Sequence, residues 1–207
     1  IHKSLVSTIG GIGSLKDADD IIADGKADLV VVAREFIADP NWIQKGLAGC
    51  QDDVVPCVKC MRCHDSDNYA QHMQCTVNPH VGMEEAIARM PESEGGKKVA
   101  VIGGGPAGMM AALTAADRGH MVTLFEKTDT LGGALKFATY VSFKWPLREY
   151  KDYLIAQIAK SAVDVRLNTE AAPADMDGYD VVIAAVGADP FILPIPGVDG
   201  QNVLTAE

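Results

Sequence analysis

The chain has 207 residues, 48% of them hydrophobic and 22% charged, and a net charge of −10. That composition suits a folded globular protein of one or two domains. The acidic balance, without a basic run, argues against nucleic acid or an anionic membrane as partner, and no apolar stretch reaches the roughly 18 residues of a spanning helix.

The opening "IHKSLVST" has no basic region followed by an apolar core, so no export signal is visible. Its first residue is not Met, and the natural start is expected to be missing. Five cysteines without an export signal point to a reducing compartment, hence the cytoplasm. There, clustered thiols bind metal or act in redox more often than they form structural disulfides.

Residues 1–50 read as strand–helix–strand–helix. "SLVSTIGGIG" is a strand ending in a glycine turn, and "SLKDADDIIADG" is a helix with a Ser start and a Gly stop. "ADLVVVAREF" carries the continuous apolar run of a parallel strand buried on both faces. "DPNWIQKGLAG" opens a second helix, with Asp39 as its cap and Pro40 at its first position.

Residues 51–96 hold a cysteine loop and the polar linker "PESEGGKK". Cys57, Cys60, Cys63 and Cys75 follow the spacing C-x2-C-x2-C-x11-C. A structural zinc site normally has two separate C-x2-C pairs, or two cysteines with two histidines. Three crowded thiols with a fourth from afar suit a 4Fe–4S cluster better. His64 and His72 keep zinc open as an alternative, and disulfides are the third. Cys50 lies outside the spacing and reads as a small buried hydrophobe.

From Lys97 the pattern is strand–turn–helix–strand. Gly103, Gly105 and Gly108 form G-x-G-x-x-G directly after the apolar strand "VAVI". The helix "GMMAALTAADRG" and the strand "MVTLFE" follow, ending at the acid Glu126. This is the full dinucleotide-binding context. The first glycine permits the turn, the second admits a pyrophosphate, and the third lets helix and strand pack closely. The helix amino end offers free N–H groups to the phosphates, and Glu126 can accept from the ribose hydroxyls.

Two later stretches resemble the FAD-binding domain of flavoproteins of the glutathione-reductase-like class. One is "LGGALKFA", with Gly132 and Gly133. The other is the strand and turn in "YDVVIAAVGADPFILPIPG", with Pro194 and Pro196 beyond. The class usually ends that strand Ala-Thr-Gly. Here it reads Ala185-Val186-Gly187, which leaves Gly187 as the matching position. No second G-x-G-x-x-G domain for NAD(P)H occurs in this chain.

Taken in order, "DLVVVAREFIADPNW", the cysteine loop ending "CTVNP", and "VAVIGGGPAGMMAA" resemble the old-yellow-enzyme-like NADH:flavin oxidoreductases. These are the multidomain reductases of the 2,4-dienoyl-CoA reductase, enoate reductase and trimethylamine dehydrogenase type. The resemblance implies an α/β chain in three parts. Residues 1–50 are the end of an FMN-binding (β/α)8 barrel, 51–96 an iron–sulfur loop and linker, and 97–207 a Rossmann-like FAD-binding domain.

The resemblance assigns Cys57, Cys60, Cys63 and Cys75 to the cluster. It assigns Gly103, Gly105, Pro106, Ala107, Gly108, Glu126, Lys127, Gly132, Gly133 and Gly187 to FAD. Gly10, Gly11, Ala33 and Arg34 fall to the FMN phosphate. No residue reads as a catalytic acid or base, and Tyr140, Tyr150, Tyr153 and Tyr179 are assigned to packing or surface.

The implied reaction is a relay from NAD(P)H through FAD and the cluster to FMN, which reduces an activated C=C bond. Two βα units cannot close a barrel, so their strands are expected to expose an edge and an apolar face. On this reading the chain is a fragment, inactive alone. Its partners are NAD(P)H, a small-molecule substrate, and the remaining barrel and NAD(P)H domain of the same enzyme; a homo-oligomer is compatible with it. Two alternatives stand beside it. One is an amine dehydrogenase of the trimethylamine dehydrogenase type, whose two residues between the second and third cysteines match this loop and which can bind ADP in place of FAD. The other is a non-catalytic electron-transfer subunit.

Overall fold

In the computed structural model, residues 4–65, 72–189 and 191–204 are described. The chain divides into two compact units. The first is Ile1–Ser93 with Trp145–Tyr153, the second Glu94–Lys144 with Leu154–Glu207. No helix among the described residues is long and apolar enough to cross a membrane.

The first unit opens with β1 (Ser7–Ile9), α1 (Leu15–Ala23) and β2 (Leu29–Val31). The two strands pair in parallel with Ile9 opposite Val31. Helix α1 begins where Ser14 accepts from the Asp17 N–H at 3.0 Å and Asp17 accepts from the Ser14 N–H at 3.2 Å. This reciprocal capping satisfies two amide donors that a helix start leaves free. Gly25, at φ +66, ends it in the left-handed conformation that a side chain disfavours.

The strands are not buried on both faces within the described residues. Ile9 is 70% and Leu29 51% exposed. The apolar run "ADLVVVAREF" also stops being strand at Val31, because Arg34–Ala38 winds into a short helix, α2.

Helix α3 is Trp42–Leu47, capped by Asn41 without a side-chain bond, so Asp39 is not its cap. Asp39 is instead buried and ties three segments together. Its carboxylate accepts from the Asn41 N–H at 2.9 Å, the Lys45 ammonium at 2.6 Å and the Val55 N–H at 3.0 Å. The Phe36 and Trp42 rings meet edge to face beside it, at 5.5 Å between centroids. Removing this carboxylate strands buried donors. Asp39→Ala is expected to cost roughly 1–3 kcal/mol, read as a lowered urea midpoint at unchanged m-value.

Cys50 is exposed rather than buried. It sits on the surface turn that leads into the short helical turn Gln51–Asp53, with its thiol 3.7 Å from the Ala48 carbonyl. A further helical turn, Arg62–His64, contains Cys63, and α4 (Glu84–Ala88) precedes the linker.

The second unit is a parallel sheet of β3 (Lys98–Ile102), β4 (Met121–Phe125), β5 (Asp164–Arg166) and β6 (Val181–Ala184) in the order β5-β4-β3-β6. Helix α5 (Pro106–Asp117) carries the chain from β3 to β4, and α6 (Trp145–Lys160) precedes β5. Val99, Ala100, Val101, Val122, Leu124 and Phe125 are buried, as expected for central strands covered on both faces. Helix α5 packs down through Gly108, Met109, Ala112 and Ala115, a stripe at helical spacing. The chain leaves β3 for β4 on one side and returns to β6 on the other. That reversal opens a crevice at the carboxyl ends of the strands, where open α/β sheets bind ligands.

Candidate functional site: a dinucleotide turn and a cysteine recess

The turns after β3, β4 and β6 all lie at the carboxyl ends of parallel strands, because Ile102 pairs with both Phe125 and Ala184. Gly103 has φ +106, and a Cβ there would run into the Ala185 carbonyl. At Gly108 a Cβ would overlap the Gly103 carbonyl oxygen. Gly105 caps α5, and a Cβ there would meet only Gly133, at 3.8 Å, so space remains over it. Pro106 takes the first helical position and gives up no needed donor. Ala107 follows in that first turn, where amide N–H groups of α5 remain free for an anion.

Gly132 and Gly133 close over this turn. The Gly132 N–H donates to the Gly104 carbonyl at 2.9 Å. A Cβ at Gly133 would come within 2.8 Å of the Gly105 Cα. Gly187 lies beyond β6 at φ +77, with open space around it. Lys127 is exposed at the end of β4.

Glu126 is buried, and its carboxylate is held from both sides. Oε2 accepts from the Gly104 N–H at 2.7 Å. Oε1 accepts from the Thr128 N–H and hydroxyl, each at 2.8 Å. Burial alone pushes this carboxyl up, but the Thr128 and Gly104 donors and the charge of Lys136 outweigh it and hold it below the usual range. A carboxylate has lone pairs left after three bonds, so a ribose hydroxyl can still be accepted. Thr128 and Lys136 escaped the sequence reading. Lys136 donates to the Thr128 hydroxyl at 2.9 Å and so steadies the grip on Glu126.

The depressed Glu126 carboxyl binds a proton more weakly folded than unfolded. Its stabilisation is therefore complete above the ordinary value of 4.5 and is lost as pH falls through the lower folded value. Glu126→Gln is expected to remove that acid-side loss. It also sets an amide N–H against an existing donor, which lowers stability at neutral pH by about 1–3 kcal/mol. Thermal unfolding across the acid limb checks both effects.

In the first unit, the four cysteines of the spaced motif line one recess. Cys57, Cys60, Cys63 and Cys75 share it with Arg34, Ile37, Met61, Thr76 and Val77. The recess measures about 290 Å³, part of it open to solvent. Neither His64 nor His72 lines it. All five cysteines are free thiols. Burial pushes the Cys57 and Cys63 thiols up, as does the Cys75 sulfur. Burial likewise pushes Tyr150 up to about 12, with Cys75 adding to it. Tyr150 is therefore a neutral, packed phenol stacked on Tyr153 at 6.2 Å.

Among the described residues no group of three or more His, Cys, Asp or Glu can hold one metal ion. A tetrahedral ion with bonds of about 2.3 Å brings its sulfurs within about 4 Å of each other. A cluster bound at its corners takes thiolates set farther apart. The four thiols around one recess are the donor type that such a cluster takes.

Two features shape the loop that carries these thiols. Lys59 and Met61, on either side of Cys60, are left-handed at φ 56 and φ 62. The Arg62 guanidinium donates twice to Gln74 Oε1, at 3.1 and 2.6 Å, and once to Asp65 at 2.6 Å. Because Arg62 precedes Cys63 and Gln74 precedes Cys75, this clasp draws the third and fourth thiols together.

Gly10, Gly11, Ala33 and Arg34 leave the adjacent carboxyl ends of β1 and β2. Gly10 and Gly11 have positive φ, and a Cβ added at either would meet nothing within 4 Å. The Arg34 guanidinium donates to the Met61 sulfur at 3.4 Å and lines the recess. A thioether is a weak acceptor, which leaves Arg34 donors for an anion.

Residues 98–185 match the family described as FAD dependent oxidoreductase. The chain is 38% identical over 201 residues to an NADH oxidase of Thermoanaerobacter brockii, covering 95% of this chain and 31% of the relative. A bilirubin reductase of Mediterraneibacter gnavus (strain CC55_001C) is 37% identical, over 97% of this chain and 32% of its own. Among solved structures, a 2-naphthoyl-CoA reductase in complex with 2-naphthoyl-CoA superposes with a TM-score of 0.89 at 33% identity. That match covers 99% of this chain and 32% of the other. The chain thus spans about a third of the length of the curated relatives it matches. With its G-x-G-x-x-G turn, held acid and thiol-lined recess in one order, the chain belongs to the old-yellow-enzyme-like NADH:flavin oxidoreductase family.

Proposed function

We propose that the protein is a flavin and iron–sulfur oxidoreductase that draws electrons from NAD(P)H and reduces an activated C=C bond of dienoyl-CoA or enoate type. Residues 1–50 act as the last two βα units of an FMN-binding barrel, 51–96 as the cluster loop and linker, and 97–207 as the FAD domain. Cys57, Cys60, Cys63 and Cys75 would hold a 4Fe–4S cluster as thiolates. Gly103, Gly105, Pro106, Ala107, Gly108, Gly132, Gly133 and Gly187 would cradle FAD, with Glu126 and Lys127 toward its ribose. Gly10, Gly11, Ala33 and Arg34 would meet the FMN phosphate.

When bound, the flavins supply hydride exchange and the cluster supplies single-electron transfer. The chain's own residues bind and orient these groups. The N–H groups of α5 would face a pyrophosphate, Glu126 stays ionised to accept from hydroxyl groups, and Val58, Ile37 and Val77 give the recess an apolar lining beside the thiols. The observation that carries the reading is the gathering of all four spaced thiols, with no histidine, on one recess of a chain that also carries the dinucleotide turn.

The test is an anaerobic preparation of the full-length protein with iron, sulfide, FMN and FAD quantified, then assayed for NAD(P)H oxidation with enoyl acceptors. About four irons, one FMN and one FAD per chain are expected. Zinc in place of iron would sink the proposal. The two-residue gap between Cys60 and Cys63 supports a second reading, an amine dehydrogenase. Amine-dependent reduction of an electron acceptor, with FMN present and FAD absent, selects it.

A further inference from the structure

We propose that Thr76 is a positioning residue for the cysteine site: its hydroxyl donates to the Cys60 sulfur and raises the potential at which the bound cluster takes up an electron. The inference rests on the iron–sulfur reading above. It does not concern which residues are ligands, and Thr76 is not one of them.

The Thr76 hydroxyl lies 3.0 Å from the Cys60 Sγ. As a free thiol, Cys60 can give or take the proton in that bond. As a metal-bound thiolate it has no proton, so the hydroxyl must be the donor. The direction of the bond is thus fixed by ligation.

The contact is held in place rather than loosely met. Cys60 sits between two left-handed residues, and each has an anchored side chain. The Lys59 ammonium rests 4.1 Å from the centroid of the Trp145 ring. The Met61 sulfur accepts from Arg34 at 3.4 Å. A non-glycine residue keeps a positive φ only where its surroundings over-determine it. Thr76 is placed by the chain itself, because it follows Cys75 directly and precedes the buried pair Val77 and Asn78. Asn78 is in turn bonded to the Ile37 carbonyl at 2.8 Å. Donor and sulfur therefore reach each other from two separately fixed segments.

The energetic direction follows from charge. One-electron reduction adds a negative charge that spreads onto the cysteine sulfurs. A donor to one sulfur stabilises the reduced form more than the oxidised one, and hydrogen bonds to sulfur are one of the ways a protein sets such potentials. Removing a bond to a charged group alters such an equilibrium by roughly three- to tenfold when part of its worth differs between the two states.

The test uses the full-length protein, purified anaerobically as wild type, Thr76→Val and Thr76→Ser. Iron and sulfide are counted, and the cluster midpoint is read by a redox titration followed by electron paramagnetic resonance. Valine keeps the shape and removes the donor, whereas serine keeps the donor. The expected result is wild-type iron in all three, a midpoint shifted to lower potential in Thr76→Val, and a midpoint close to wild type in Thr76→Ser. Iron lost from Thr76→Val but kept in Thr76→Ser upholds the role as well, since only the hydroxyl differs. An unshifted Thr76→Val, an equal shift in both variants, or iron lost from both overturns it. Wild-type protein without iron or sulfide strikes the underlying iron–sulfur reading instead, so the two failures are told apart.

Discussion

A Gly108→Ala protein is expected to lose FAD binding by roughly 100-fold or more, about 3 kcal/mol, and to lose stability with it. The reason is the kind of atom in the way. A Cβ at this position would overlap the Gly103 carbonyl oxygen and press on the Ala185 Cβ at 3.4 Å. Neither is the end of a flexible side chain. To admit one methyl, α5 must lift away from β3, and overpacking of this sort costs about 1–3 kcal/mol in stability. Lifting α5 also swings its free N–H groups off the phosphate position.

Gly105→Ala is the informative contrast. Its backbone is at φ −73 and its nearest neighbour is 3.8 Å away, so an added methyl fits the chain. That methyl occupies the space over the turn that a pyrophosphate needs. FAD per chain and the denaturant midpoint should therefore fall together in Gly108→Ala, whereas only FAD should fall in Gly105→Ala. A stable Gly108→Ala protein with full FAD would show that helix and strand do not need this close approach.

Cys75→Ala is expected to purify with little iron, its affinity reduced by more than about 100-fold. Cys57, Cys60 and Cys63 come from one tight stretch, whereas on the proposed reading Cys75 alone would bring a ligand from the returning segment. Three thiols on one side leave a corner to solvent, where the group is open to loss and oxidation. Cys50→Ala is the matched control. That thiol is exposed and does not line the recess, so its loss should leave iron and sulfide unchanged. Equal loss in both variants would remove the distinction between motif cysteines and bystander.

Some of this was legible in the residues and some was not. Gly103, Gly108 and Glu126 could be read in advance because each serves a backbone or charge requirement that few residue types meet. The same holds for Ser14 and Gly25 at the ends of α1. Asp39 was misread, since "DPNW" looks like a capped helix start with Pro at its first position. Its true partners, Lys45 and Val55, are set by tertiary packing. Helix α2 was hidden because its five residues, Arg34–Ala38, are too few to show a helical period.

Helix α6 and strand β5 were not read at all. Pro146 in the first turn of α6 and the buried Tyr150, Leu154 and Ile158 at intervals of four were the available signs. The short, polar β5 carries almost none. Thr76, Thr128 and Lys136 could not be found from spacing, because threonine and lysine are ordinary on a surface. Only the fold shows which sulfur, carboxylate or hydroxyl each one meets.

The Arg62–Gln74 clasp has one more consequence. It pins the two ends of the stretch that separates Cys63 from Cys75. Each doubling of such a loop costs only about 0.6 kcal/mol. Changes in the length of that spacer, or a docking segment grafted into it, are therefore expected to cost little while the Arg62–Gln74 bonds hold its ends.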